Sequence, residues 1–322
     1  MPTAGCHEQA PTRYLVVVPV LSLVLAALAA TGNAFAAVMQ RKAALEEQDT
    51  EFGRSVLRRL VRKRVWIIGI LAMVAAFGLH ATALNLGELS AVEPIIALEL
   101  PVSLLFASWT FSSRLGPLEW ASTITMTGGV IVVLTALAPT PGKPTGVNHV
   151  TYVLAGGGTA GTVGLLCLLG KLGRGPFRTA CLGAAAGTSF GLTAALVKES
   201  VTQLSDRGLF GLVSTWQTYA AISFGVLGVI LVQAALHAGR LVAAQPGITL
   251  MDPLVSTLWG VLVFNEHTRS GVYLGLAAVG AVAMLASVLV LARSPLLESS
   301  EEVLPTPERR TSGDPAAYPN PA

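Results

Sequence analysis

Charge is scarce in this sequence. Only 12% of the 322 residues are Asp, Glu, Lys or Arg, about half of the roughly 25% usual in a soluble domain. So few charges cannot clothe a 33.3 kDa globule, which argues against a soluble enzyme. Cysteine is scarcer still: Cys6, Cys167 and Cys181 make no disulfide framework, and the last two sit in apolar runs as small hydrophobes. No P-loop, nucleophile elbow or His/Cys pair at metal-ligand spacing occurs, so neither an enzyme nor a bound cofactor is expected. ATP-driven transport would need a phosphate cradle that this chain lacks. Sustained apolar/polar alternation is missing too, which disfavours a β-barrel. The net charge of +3 suggests no nucleic-acid partner.

What the chain has is apolar length: 52% hydrophobic residues, 33 Gly and a mean hydropathy of +0.65. Nine apolar segments lie at about 14–39, 65–86, 90–111, 119–138, 150–170, 178–198, 212–235, 243–264 and 272–292. Each is near the ~20 residues that cross ~30 Å of hydrocarbon. The fold expected is therefore an all-α membrane protein with about nine transmembrane helices and membrane lipid as its main partner. Gly, Ala, Ser and Thr recur in every segment, as close helix packing in lipid requires. Small residues around Ala29–Ala34 resemble a signal-peptide cleavage site, but the run is too long for one and only Arg13 precedes it.

The basic residues fall between the apolar runs. Loop 40–64, Arg114, Lys171, Arg174, Arg178, Arg240, Arg293, Arg309 and Arg310 would share one side, with 16 of the 21 Lys and Arg. The positive-inside rule then puts the N-terminus outside and the C-terminus in the cytoplasm, in a multi-pass cell (inner or plasma) membrane protein. Arg54–Arg64 spaces Val56, Leu57, Leu60 and Val61 helically among basic residues, which suits a helix on an anionic leaflet. The tail from Ser294, rich in Pro, Glu and Ser, reads as a disordered end.

Residues 84–101 can be laid over 236–253 without a gap, with eight identities: Leu84, Gly87, Leu89, Ala91, Pro94, Ile96, Leu98 and Pro101 against Leu236, Gly239, Leu241, Ala243, Pro246, Ile248, Leu250 and Pro253. A weaker pairing joins Ala30–Lys42 to Gly187–Glu199. Matched spans are five crossings apart and so point in opposite directions. The expected plan is two inverted four-helix repeats joined by a central helix. In residues, 1–13 form the N-terminus, 14–139 the first repeat, 140–177 the connector, 178–292 the second repeat and 293–322 the tail. Such repeats place a site near the midplane at interrupted helices. Pro94, Pro101, Pro246 and Pro253 each remove a helical hydrogen bond and shape that site, alongside Gln245, Thr249 and His80.

The acids inside the spans are Glu93 and Glu99 in the third and Asp252 in the eighth. Glu99 and Asp252 each fall nine residues into their spans, roughly 13 Å deep, whereas Glu93 falls near a mouth. A mid-membrane carboxylate costs about 2.5–3.5 kcal/mol, so its retention points to a proton, a cation or a locking hydrogen bond. An anionic substrate would be repelled. Glu119 and Glu266, flanking spans, read as solvated.

The stretch Ala243–Glu266 (AAQPGITLMDPLVSTLWGVLVFNE) resembles the final-repeat signature of the drug/metabolite transporter superfamily. The repeat and the N-out, C-in layout are similar to its NIPA-like magnesium transporter branch and to EamA-like bacterial membrane proteins. The superfamily plan is five plus five spans, whereas this chain reads as four, one and four. The resemblance implies a secondary transporter, with Mg²⁺ as substrate held by Glu99 and Asp252 as oxygen ligands. Proton-coupled export of a small neutral or cationic metabolite would use the same acids, Glu93 among them. A third reading is a non-transporting membrane scaffold protein. A homodimer is compatible with all three.

Overall fold

The computed structural model describes residues 10–45, 63–112, 114–142, 149–239 and 241–293. Among them the structure is helical, with one isolated antiparallel bridge between Thr140 and His267. Ten helices follow in order: α1 Ala10–Leu45, α2 Arg64–Leu86, α3 Leu89–Ile96, α4 Glu99–Thr110, α5 Pro117–Leu137, α6 His149–Leu172, α7 Gly175–Ser214, α8 Trp216–Ala238, α9 Leu241–Leu262 and α10 Val272–Leu291. The expected surface helix before Arg64 lies outside the described residues apart from its end, and Lys143, Arg240 and the tail from 294 lie outside them entirely.

Eight stretches among the described residues are long and apolar enough to cross a membrane, α3 and α4 together making one of them. The remaining expected span, the eighth (α9), has 22 residues, but Gln245, Asp252 and two prolines dilute it. The outer surface supports the membrane reading. Leu71 is 64% exposed, Leu154 70%, Ile222 61% and Val282 64%, an apolar exterior that lipid covers and water does not. The interior is built instead from small residues, Ala26, Ala30, Ala34, Ala83, Ala185 and Ala195 among them.

Those small residues set which helices meet. On α7, Gly183, Gly187 and Gly191 face α9 so closely that a Cβ on Gly187 would lie 2.6 Å from the Gly247 and Ile248 carbonyl oxygens. Only glycine permits that approach. On α1, buried Ala26, Ala30 and Ala34 repeat the same spacing, and α1 packs on α3 and α4. The pairings α1 with α2 and α7 with α8 are both extensive. Each is closed by a glycine against a hydroxyl: a Cβ on Gly87 would strike Ser22, and one on Gly239 would strike Thr179. Helices α5 and α10 meet reciprocally, since a Cβ on Gly129 would lie 2.9 Å from the Gly280 oxygen and one on Gly280 2.8 Å from the Gly129 oxygen.

Two elements differ from their expected form. The third span is broken: α3 stops at Ile96 and α4 restarts at Glu99. Pro101 has no N–H to offer Ala97, whose carbonyl instead accepts from Leu100 N at 3.4 Å in a tighter turn. The matched α9 carries Pro246 and Pro253 yet stays one helix. The sixth span does not end at 198. Helix α7 runs 40 residues to Ser214, with a break at Gly208 (φ 65°). Between Lys198 and Gly208 nothing stops a helix, and Gln203 Nε2 donates to Glu199 Oε1 one turn back at 3.0 Å.

Candidate functional site

The third span's acids sit on either side of its break. Glu93, in the last turn of α3, is 2% exposed, so it lies buried and not at a mouth. His80 of α2 meets it, with Nε2 2.9 Å from Glu93 Oε1. Glu99 opens α4, where the unpaired N–H groups of a helix start favour a negative charge. It accepts a hydrogen bond from the side chain of Asn33 on α1. Asp252 comes from α9, and Ser256 Oγ, one turn on, stands 3.4 Å from its Oδ1.

These groups form one constellation. Asp252 lies within Coulombic reach of both Glu93 and Glu99, and Glu99 within reach of His80. Asp252 thus feels the two acids of the third span, and Glu99 feels the His80 imidazole. Five helices (α1, α2, α3, α4 and α9) contribute, so the break in the third span is what lets two acids of one segment face the same neighbours. Gln245 and Thr249, also expected at the site, lie on the N-terminal half of α9 and hydrogen-bond each other at 3.3 Å. Pro94 and Pro101 are buried, while Pro246 and Pro253 are half-buried.

Exposure changes sharply across the site. Gly87 to Ile95 are buried without interruption, whereas Ile96 to Leu100 are half-exposed. On α9 every residue from Val242 to Pro253 except Ala244 is half-exposed, and none of these is fully exposed. Further along α9, Leu254, Leu258 and Leu262 are more exposed. Glu99 and Asp252 both belong to these half-exposed stretches, whereas Glu93 belongs to the fully buried one.

The sequence reading missed one group. Glu266, expected to be solvated, is 4% exposed. Its Oε1 accepts from Leu89 N at 2.7 Å, and its Oε2 from Ser90 N at 3.0 Å and Ser90 Oγ at 2.5 Å. Lys198 Nζ of α7 lies 3.2 Å from Oε1 and also donates to the Gly87 carbonyl. Glu266 therefore supplies the start of α3 with the acceptor that the first N–H groups of a helix lack. The one hint in the sequence is its place at the end of the family-like stretch Ala243–Glu266.

Among the described residues no three His, Cys, Asp or Glu stand together in a way that could hold a metal ion. A separate cavity of about 250 Å³ lies between α6, α7 and α9. Its wall includes Thr159, Leu254, Leu258 and Trp259 but no ionisable side chain, so it shares none of the chemistry of the acidic site.

The chain is 26% identical over 281 residues to an uncharacterized protein of Corynebacterium glutamicum, covering 85% of this chain and 95% of that protein. The likeness thus takes in nearly all of that protein and is not confined to one motif. No family model matches the chain, and no solved structure matches it.

Proposed function

We propose that the chain is a secondary transporter of the drug/metabolite transporter type in the cell membrane. Two inverted four-helix halves would exchange a proton, carried by Glu93, Glu99 and Asp252 with His80, for a small cationic or neutral solute. The observation that carries this reading is the His80–Glu93 contact at 2.9 Å, with two further acids, Glu99 and Asp252, in half-exposed stretches of α4 and α9. An imidazole exchanges protons near neutral pH, and acids without a basic partner in a membrane interior mark ion or proton paths. An acid-lined opening admits cations and neutral solutes and repels anions.

The mirrored contacts support the repeat. Extending the pairing of Ala30–Lys42 with Gly187–Glu199 puts Ser22 on Thr179 and Ala26, Ala30 and Ala34 on Gly183, Gly187 and Gly191. These residues play matching parts in the two halves. Arg41 corresponds to Lys198, and each lies 5.5 Å from the ring centre of a phenylalanine, Phe111 and Phe264 respectively. The reciprocal contact of Gly129 and Gly280 is what a two-fold relation between halves produces.

Mg²⁺ as the transported substrate is the second reading, favoured by the carboxylate oxygens of Glu99 and Asp252. Histidine beside Glu93 suits proton exchange better than a hard cation. Proteoliposomes separate these readings. A pH dye inside the vesicles should report proton movement when a panel of small organic cations and neutral metabolites is added, and Glu99→Gln or Asp252→Asn should abolish it. Uptake read by a Mg²⁺ dye without proton movement would replace the first reading with the second. Background fluxes in the parent for every solute and for Mg²⁺ would leave the scaffold reading.

A further inference from the structure

Burial is continuous on one side of the acidic site and gives way to half-exposure on the other. From Gly87 to Ile95 every residue is buried, and this packed end also receives the segment after α9. Three ties hold that segment there. The Thr140–His267 bridge joins it to the loop after α5. The Arg269 N–H donates to the Leu137 carbonyl at 2.9 Å. Glu266 grips the start of α3 and Lys198 of α7. On the other side, the N-terminal half of α9 is half-exposed from Val242 to Pro253, Ala244 excepted.

We propose that the Glu266–Ser90–Lys198 cluster is a one-sided latch: it holds the α3 end of the bundle shut over Glu93 and Asp252 while the α9 end stands open. The inference rests on the transporter reading for its purpose, though not for its geometry. The latch ties all the moving parts that such a closure needs. Lys198 lies in the first helix of the second half, Glu266 between that half's last two helices, and Ser90 on the broken span of the first half, one turn from Glu93. Breaking it frees the segment that carries the site's buried acid.

The corresponding residues of the other half do not carry the same side chains. Laying the first-half segment over the second carries Glu266 back to Arg114, Ser90 onto Val242 and Leu89 onto Leu241. An arginine has no acceptor for the N–H groups at the start of α9, and Val242 has no hydroxyl. The halves share several packing contacts but differ at this tie, so the latch biases the molecule toward closure at one end. The Glu266 and Lys198 side chains are only 3% and 16% exposed. In such a setting, losing one partner leaves the other buried and unpaired.

Thiol labelling tests this in the full-length chain in membranes, with Cys6, Cys167 and Cys181 replaced by Ser. Single cysteines are placed by Val92→Cys, under the latch, and Ile248→Cys, on the open side. In the parent a membrane-impermeant maleimide should label Ile248→Cys from one face only and leave Val92→Cys unlabelled. Adding Glu266→Ala should raise Val92→Cys labelling from the other face at least tenfold and lower that of Ile248→Cys. Lys198→Gln, a milder change read where Glu266→Ala does not fold, should shift both in the same directions, about threefold. Unchanged labelling in a folded latch variant, or rapid labelling of Val92→Cys in the parent, overturns the latch. Labelling that shifts as expected in a protein with no solute flux upholds the latch and removes the transporter reading instead.

Discussion

His80 and Glu93 pair where water is largely excluded, and each makes the other tolerable. A buried carboxylate without a partner is expensive, and so is a buried imidazolium. Held 2.9 Å apart, they share the cost. Glu88 shows the opposite balance just outside the spans. It is 7% exposed at the N-cap of α3. Burial raises its pKa above the ordinary 4.5; its own backbone N–H opposes this, nearby Glu266 adds to it, and Lys198 opposes it. The folded chain then keeps this proton to higher pH than the unfolded chain does, so its contribution to stability is lost as pH rises from 4.5 through the raised value. Melting temperatures in detergent should show the parent losing stability relative to Glu88→Gln between pH 4.5 and neutrality. A constant difference across that range would contradict this. Glu99 and Asp252 were readable in the sequence as acids within apolar runs. Glu266 was not, because its partners at Leu89 and Ser90 are 177 and 176 residues away.

The helices divide by what their glycines face. Gly187 of α7 has carbonyl oxygens where a Cβ would go, while Gly157 of α6 has nothing within 4 Å. Gly187→Ala should therefore push α9 away and cost about 1–3 kcal/mol, as overpacking does. Gly157→Ala should be neutral or stabilising by about 0.5–1 kcal/mol through the unfolded chain. Chemical unfolding of both variants in detergent checks the pair, and equal effects would refute the contact assignment. Helix existence and placement were legible from apolar length alone, and so was the part of the prolines in shaping the third span. Which matched span would break was not. The chain breaks between Ile96 and Glu99, ahead of Pro101, but runs unbroken through Pro253 in α9, although both prolines lack the same N–H. The extension of α7 past Lys198 was hidden for another reason. Polar residues read as a loop by hydropathy, yet they form good helix where no glycine or proline intervenes before Gly208.

For the whole molecule, the described helices give an apolar exterior around an interior of small residues with a few costly acids. That inversion of the soluble pattern was already present in the composition. The sidedness read from Lys and Arg makes a direct prediction. An alkaline phosphatase fused before residue 1 should be active, since it folds only outside the cytoplasm, and a green fluorescent protein fused after residue 322 should fluoresce in the cytoplasm. The reverse result at either end would overturn the nine-crossing layout. The mismatch between the broken third span and its unbroken counterpart has a consequence for motion. If the halves trade conformations, as two copies of one plan in opposite senses can, a second resting shape exists in which α3 and α4 straighten into one rod and α9 snaps near Pro253. In such a cycle the prolines would act as a pair of alternating elbows, one bent whenever the other is straight.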